Sequence, residues 1–161
     1  VLRAFDLAAL RLLRTRGHSP RAEGAVAALS RAGENGAVWY ALALVGAASD
    51  PLGRAAYRRA ALAVTASFLA SQAVKLAVRR ARPASDELPA LIKTISGRSY
   101  PSSHAATSFA AARVLRDPLP PGPLYCLAAA MALSRPYLGV HYPSDALAGG
   151  ALGDAVARLL P

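Results

Sequence analysis

Three short stretches hold the residues whose types and spacing could do chemistry. In "KLAVRRARP", Lys75 and Arg82 are seven residues apart. That is nearly two helical turns, so both cations would share one face, with Arg79 close to it. Pro83 disfavours helix at Arg82 and would help to end the element there. Cations converging on a helix end suit a phosphate, arginine by bidentate donation and lysine as a point charge. In "YPSSH", Pro101 suits the first helical position. The N–H groups of Ser102 and Ser103 would then point outward as an anion site, with His104 beside them to give a proton to a departing oxygen. In "SRPYLGVHYPSD", Arg135 adds a cation, and Pro143 starts a helix between His141 and Asp145. A carboxylate one turn on can accept from one imidazole nitrogen and leave the other free as a nucleophile.

Each stretch alone has a plain structural reading: a basic flank on lipid headgroups, a helix cap with a surface histidine, a His–Asp bond at a helix start. A headgroup reading explains Lys75 poorly, because it lies inside an apolar run, where a cation is costly unless it faces a cavity or an anion. Taken together, His104, His141, Asp145 and the cations Lys75, Arg82 and Arg135 suit phosphoryl transfer through a covalent phosphohistidine, with cations on the equatorial oxygens. Metal-assisted hydrolysis would need more carboxylates or Cys/His ligands than these motifs supply.

The elements that must position these groups are apolar. Hydrophobic residues make up 54% of the 161 and charged residues 17%, and the mean hydropathy is +0.29. The charges cluster between apolar stretches, as in a membrane protein. Five apolar runs, 37–49, 60–78, 105–115, 124–134 and 145–160, are rich in small residues, which let membrane helices approach closely. Several are shorter than the ~20 residues of a full span, a shortfall that tilt, polar first turns or a thinner bilayer would make up. Alternating their direction brings Lys75–Pro83, Pro101–His104, Arg135 and His141 to one membrane side. The other side carries Arg54, Arg58, Arg59, Arg113, Arg116 and Arg158. By the positive-inside rule the site then faces away from the cytoplasm.

Residues 2–16 read as an amphipathic helix lying in the interface, its basic side toward headgroups. They are broken by Arg3, Asp6, Arg11 and Arg14, which the apolar core of a cleavable signal peptide would not carry. Residues 17–36 hold a short helix capped by Ser19 and started by Pro20. Residues 1–35 thus form an amphipathic N-terminal region and 36–161 a transmembrane core, one domain in all. The net charge of +10 fits a membrane surface and an anionic ligand. Nucleic acid is disfavoured as a partner, since no basic stripe carries interleaved aromatics. Cys126, the single cysteine, reads as a packed small hydrophobe. Nothing in the sequence specifies an oligomeric state.

The three motifs, K-x6-RP from Lys75 to Pro83, P-S-x-H from Pro101 to His104 and S-R-x5-H-x3-D from Ser134 to Asp145, resemble in order and spacing those of the type 2 phosphatidic acid phosphatase (PAP2) superfamily. These lipid phosphatases share a fold with vanadium haloperoxidases. The resemblance implies an all-α, membrane-embedded bundle with a six-helix core, its first helix interfacial. It implies a metal-independent integral-membrane phosphatase with no cofactor. His141 would be the nucleophile, Asp145 would orient it, and His104 would protonate the leaving oxygen and then activate water. Lys75, Arg82 and Arg135 would bind the phosphoryl oxygens, with Ser102 and the Ser103 N–H completing the cradle. Ser103 departs from the glycine usual at its position; in a first helical turn its φ is negative and serine is allowed. The wording around the motifs is similar to actinobacterial members of the family. The substrate this implies is a polyprenyl-linked phosphate monoester, decaprenylphosphoryl-5-phosphoribose being one candidate; a polyprenyl diphosphate, phosphatidate or phosphatidylglycerophosphate is the alternative. The 84–100 segment would border the site, with Lys93 and Arg98 reaching a second anionic group and Leu88, Leu91 and Ile92 lining a lipid entrance. A non-catalytic lipid-binding membrane protein is the alternative of another class.

Overall fold

A computed structural model describes residues 2–84 and 87–160, so Ser85 and Asp86 of the 84–100 segment lie outside the described residues. These residues form seven α-helices: α1 (Leu2–Thr15), α2 (Pro20–Ala32), α3 (Ala37–Ser49), α4 (Arg54–Val78), α5 (Ser103–Leu115), α6 (Pro121–Tyr137) and α7 (Pro143–Leu159). The five apolar runs become α3 to α7. As expected, Ser19 caps α2, its Oγ accepting from the Ala22 N–H at 3.2 Å, with Pro20 in the first turn. A 3-10 turn, Glu34–Gly36, then leads into α3 through two left-handed residues, Asn35 (φ 52°) and Gly36 (φ 81°).

α5 is the centre of the bundle and packs against α4, α6 and α7. Its small residues make this possible: Ala105, Ala106, Ala110, Ala111 and Ala112 are fully buried. α7 answers with Gly149 and Gly153, where a Cβ would run into the backbone of Ser102 and Ala106. Lipid supplies no hydrophobic drive between helices, so such close backbone contact carries the packing. On α4, Tyr57, Ala60, Val64, Ser67, Ser71 and Lys75 form a buried stripe at helical spacing. Leu62, Leu69 and Leu76 of the same helix are exposed, as are Leu44 and Val45 of α3 and Leu147 of α7, a surface suited to lipid. At 25 residues α4 is the one helix among those described that is long and apolar enough to cross a bilayer. Trp39 is wholly buried, and its Nε1–H donates to Ser108 Oγ at 2.8 Å, tying α3 to α5.

Two expectations change here. α1 does not simply lay a basic side on headgroups: Asp6 and Arg14 are buried against the protein, while Phe5, Leu7 and Leu12 face outward. Arg14 reaches the carbonyls of Tyr137 (3.2 Å) and Pro89 (2.6 Å). Asp6 and Arg14 lie two turns apart on one helical face, with Leu10 between them, and that face docks inward, leaving the Phe5, Leu7 and Leu12 side outward. Cys126 is exposed rather than packed, because Leu124 and Ala128 take the inward positions of α6.

Candidate active site

The chemistry-bearing residues meet in a cavity of about 530 Å³, lined by the last turns of α4 and α6, the first turn of α5, the α2–α3 connection and the 92–96 segment. Lys75, Arg82, Ser103, His104, Arg135 and His141 all line it. The helix ends that carry them were brought together by alternating the directions of the helices.

The cations are parked on protein oxygens. Lys75 is buried near the end of α4, and its ammonium donates to the Pro101 carbonyl and, at 3.4 Å, to that of Ser99. Arg135, buried in the last turns of α6, donates to Ser30 Oγ, and its Nε–H is left without a partner. Arg82 reaches the cavity by another route than the shared helical face expected with Lys75. α4 stops at Val78 because Arg79 turns left-handed (φ 53°), and Arg82 follows in the loop. Its Nε donates to the Ser96 carbonyl at 2.7 Å and its Nη1 to the Val140 carbonyl at 2.6 Å. The same Nη1 lies 3.1 Å from His141 Nε2. Arg79 itself turns back to the Leu76 carbonyl and does not line the cavity.

A guanidinium can only donate, so the Arg82 contact makes Nε2 the acceptor and puts the His141 proton on Nδ1. Burial, joined by Arg82, Arg135 and Lys75, lowers the His141 pKa to about 3 against the opposing pull of Asp145. The ring is therefore neutral, with its Nε2 lone pair among cations. Asp145 lies behind it, fully buried in the first turn of α7. Its Oδ2 is 3.5 Å from His141 Nδ1, near the outer limit of a hydrogen bond, which would close as the ring becomes cationic. That oxygen accepts from the Tyr142 N–H at 2.9 Å, while Oδ1 accepts from Arg80 at 2.8 Å. Across the cavity, His104 Nε2–H donates to the Ser30 carbonyl at 3.0 Å.

Residues 56–161 match the family model of the PAP2 superfamily. The chain belongs to the PAP2 superfamily. It is 44% identical over 126 residues to the decaprenylphosphoryl-5-phosphoribose phosphatase of Mycolicibacterium smegmatis, covering 76% of this chain and 68% of that protein. To the enzyme of the same name from Mycobacterium tuberculosis it is 38% identical over 136 residues, covering 82% and 75%. Aquifex aeolicus LpxE has the same fold, with a TM-score of 0.81 at 21% identity over 95% of this chain and 92% of that one. So does the transmembrane PAP2-type phosphatidylglycerolphosphate phosphatase of Bacillus subtilis, with a TM-score of 0.80 at 22% identity over 98% and 83%. The protein is a PAP2 membrane phosphatase of lipid phosphates.

In this PAP2 chain the two serines of "PSSH" divide differently from expectation. Pro101 is not the first helical residue; it precedes the cap. Ser102 is the N-cap, wholly buried, its Oγ accepting from the Ala105 N–H at 3.4 Å and its N–H bound to the Asp145 carbonyl at 2.9 Å. Ser103 lines the cavity instead, its Oγ 2.8 Å from Ser71 Oγ and 3.2 Å from the Gln72 amide that donates to it. In the 84–100 segment, Lys93, Ile92 and Ile95 line the cavity, whereas Arg98, Leu88 and Leu91 do not. The residues that sequence reasoning missed are Arg80, Asp6 and Ser144, which back Asp145, and Ser30, which holds Arg135 and His104. Asp6 had one signal: it shares a helical face with Leu10 and Arg14, so an acid sits on a face that must pack.

Proposed function

We propose that this PAP2 phosphatase hydrolyses a polyprenyl-linked phosphate monoester of the decaprenylphosphoryl-5-phosphoribose type in two steps through a phosphohistidine. The observation that carries the mechanism is the neutral His141, its Nε2 lone pair 3.1 Å from Arg82 in a cavity shared with Lys75, Arg135 and His104. His141 Nε2 attacks phosphorus; the P–Nε2 bond forms as the bond to the ester oxygen breaks. His104, which takes up a second proton as the anionic phosphate enters the cavity, gives one proton to that oxygen and releases the alcohol. The neutral His104 then takes a proton from water as the water oxygen attacks phosphorus. The P–Nε2 bond breaks, inorganic phosphate leaves, and both histidines return to their starting states. Lys75, Arg82 and Arg135 exchange their protein oxygens for those of the phosphoryl group, where charge builds. Asp145 steadies the Nδ1–H of the ring as it becomes cationic. Ser103 sits beside the phosphate and Ser102 holds the helix start from beneath.

The substrate class rests on the relatives at 38–44% identity, which are decaprenylphosphoryl-5-phosphoribose phosphatases. The exposed Ile95 at the cavity edge suits an isoprenoid chain. We read the chain as a single domain that crosses the membrane several times. Its site lies on the extracytoplasmic side, opposite the helix ends that carry Arg54, Arg58, Arg59, Arg113, Arg116 and Arg158.

The test is phosphate release in detergent from polyprenylphosphoryl-5-phosphoribose, polyprenyl diphosphate, phosphatidic acid and phosphatidylglycerophosphate. The first should be turned over with the highest kcat/KM. A phosphoenzyme stable to alkali and labile to acid should form in the wild type during turnover and be absent in His141→Ala, with turnover abolished in both His141→Ala and His104→Ala. Loss of only a few-fold in both variants would refute the mechanism; preference for another lipid would refute the substrate alone.

A further inference from the structure

The carboxylate behind His141 is held from its far side by Arg80, which is itself anchored on a residue at the start of the chain. Arg80 Nη1 donates to Asp145 Oδ1 at 2.8 Å, and Arg80 Nη2 donates to Asp6 Oδ2 at 2.7 Å. Asp6 and Asp145 are both fully buried. Asp6 also accepts from the Ser144 N–H at 2.9 Å and from Ser144 Oγ at 2.6 Å, so both its oxygens are anchored on the first turn of α7. The guanidinium lies 4.0 Å over the Tyr142 ring. One arginine therefore bridges two buried acids, one on α1 and one on α7, and stacks on the residue next to His141. Asp6 lies outside the residues 56–161 that match the family.

The consequence for His141 is electrostatic as well as geometric. Paired with Asp145 alone, Arg80 would neutralise the charge that the imidazole must use. With Asp6 taking the other arm, the three groups sum to one negative charge; Asp145 Oδ2 accepts from the neutral Tyr142 N–H and lies 3.5 Å from His141 Nδ1, so that charge faces the imidazole. Burial works against an ionised Asp6, but the hydrogen bonds from Arg80 and Ser144 outweigh it and hold the carboxyl below its ordinary range. A fully bonded network of this kind also fixes position, since each member limits the rotamers of the next.

We infer that Asp6, acting through Arg80, is a positioning residue for Asp145 and His141, so that α1 is a working part of the active site and not only a membrane-surface helix. This rests on His141 being the nucleophile as proposed above. The experiment uses the full chain in detergent, with the lipid phosphomonoester it turns over fastest in the panel above and with phosphatidic acid as a second. Asp6→Asn should lower kcat on the order of 10- to 100-fold, the scale expected when a reacting group is slightly misplaced, with KM unchanged. In an Arg80→Gln background the same substitution should cost nothing further, because its effect passes through Arg80. Asp6→Glu should recover part of the lost kcat. A folded Asp6→Asn enzyme with wild-type kcat, a loss confined to KM, or losses that multiply with Arg80→Gln would overturn the inference. Should thermal unfolding show that Asp6→Asn has lost its fold, Ser144→Ala carries the same test: it removes a donor to Asp6 and leaves both acids, and wild-type kcat in it would also overturn the inference. His141→Ala separates the two levels: if it is dead while Asp6→Asn is fully active, the inference alone fails; if it retains turnover, the underlying mechanism fails.

Discussion

Replacing Arg82 with alanine takes away the cation nearest the proposed nucleophile. Arg82 Nη1 lies 3.1 Å from His141 Nε2, so a phosphoryl group bonded to that nitrogen would fall within reach of the guanidinium. Loss of one preorganised donor from such a site costs about 10²–10³ in kcat, or roughly 3–4 kcal/mol of transition-state stabilisation. Arg82 also joins two segments through the carbonyls of Ser96 (2.7 Å) and Val140 (2.6 Å). The alanine variant therefore loosens the cavity wall as well. Arg82→Lys isolates the electrostatic part: it keeps the charge but cannot hold Ser96, Val140 and a phosphoryl oxygen together. Steady-state phosphate release should show kcat down by about 10² or more for alanine, with lysine between alanine and wild type, and a thermal melt in detergent should report the loosened wall. A loss seen only in KM would mean that Arg82 binds ground state and transition state alike. That result, or a loss of only a few-fold in alanine, would refute its place at the phosphoryl group.

Two further outcomes follow from packing and burial. The folded-state pKa of His141 is lowered to about 3 from 6.5, so as pH falls from 6.5 the unfolded chain takes up a proton that the folded chain refuses. Stability should be fully present above pH 6.5 and fall toward pH 3 by up to about 1.4 kcal/mol per pH unit from this group. Melts of wild type and His141→Gln across that range should show the slope reduced in the variant; equal slopes would refute the assignment. Gly153→Ala places a methyl against the Ala106 backbone, and overpacking of this kind costs about 1–3 kcal/mol. A variant whose melt equals wild type would mean that α5 and α7 are not held so closely.

The sequence announced the helices more fully than it announced their ends. Apolar runs and small-residue faces located α3 to α7, because a membrane bundle is written in just those patterns. The apolar run at 60–78 gave no sign that α4 begins at Arg54, since nothing in "RAAYRR" separates solvated helix from loop. Arg82 lines the cavity but not by the shared helical face its spacing implied: a left-handed Arg79 ends the helix, a backbone choice that non-glycine residues seldom make and that no pattern signals. Ser102 and Ser103 were separated by one residue of helix phase, which proline alone does not fix. Arg80 stayed hidden because one arginine among three in "VRRARP" looks like the rest; only the partner 74 positions earlier distinguishes it.

That partner also bears on how so many cations coexist beside a neutral imidazole. Lys75, Arg82 and Arg135 donate to the carbonyls of Ser99, Pro101, Ser96 and Val140 and to the Ser30 hydroxyl, all neutral acceptors. The buried acids are kept out of their reach: Asp145 and Asp6 are both turned to Arg80. Had either acid met Lys75 or Arg135, a charge-assisted pair would have formed, and an incoming phosphate would have had to break it. On the mechanism proposed here, Arg80 thus does two things at once. It holds Asp145 at the back of His141, and it takes up the hydrogen-bonding capacity of both buried acids, so the three cations are left to neutral oxygens that a phosphate dianion can displace.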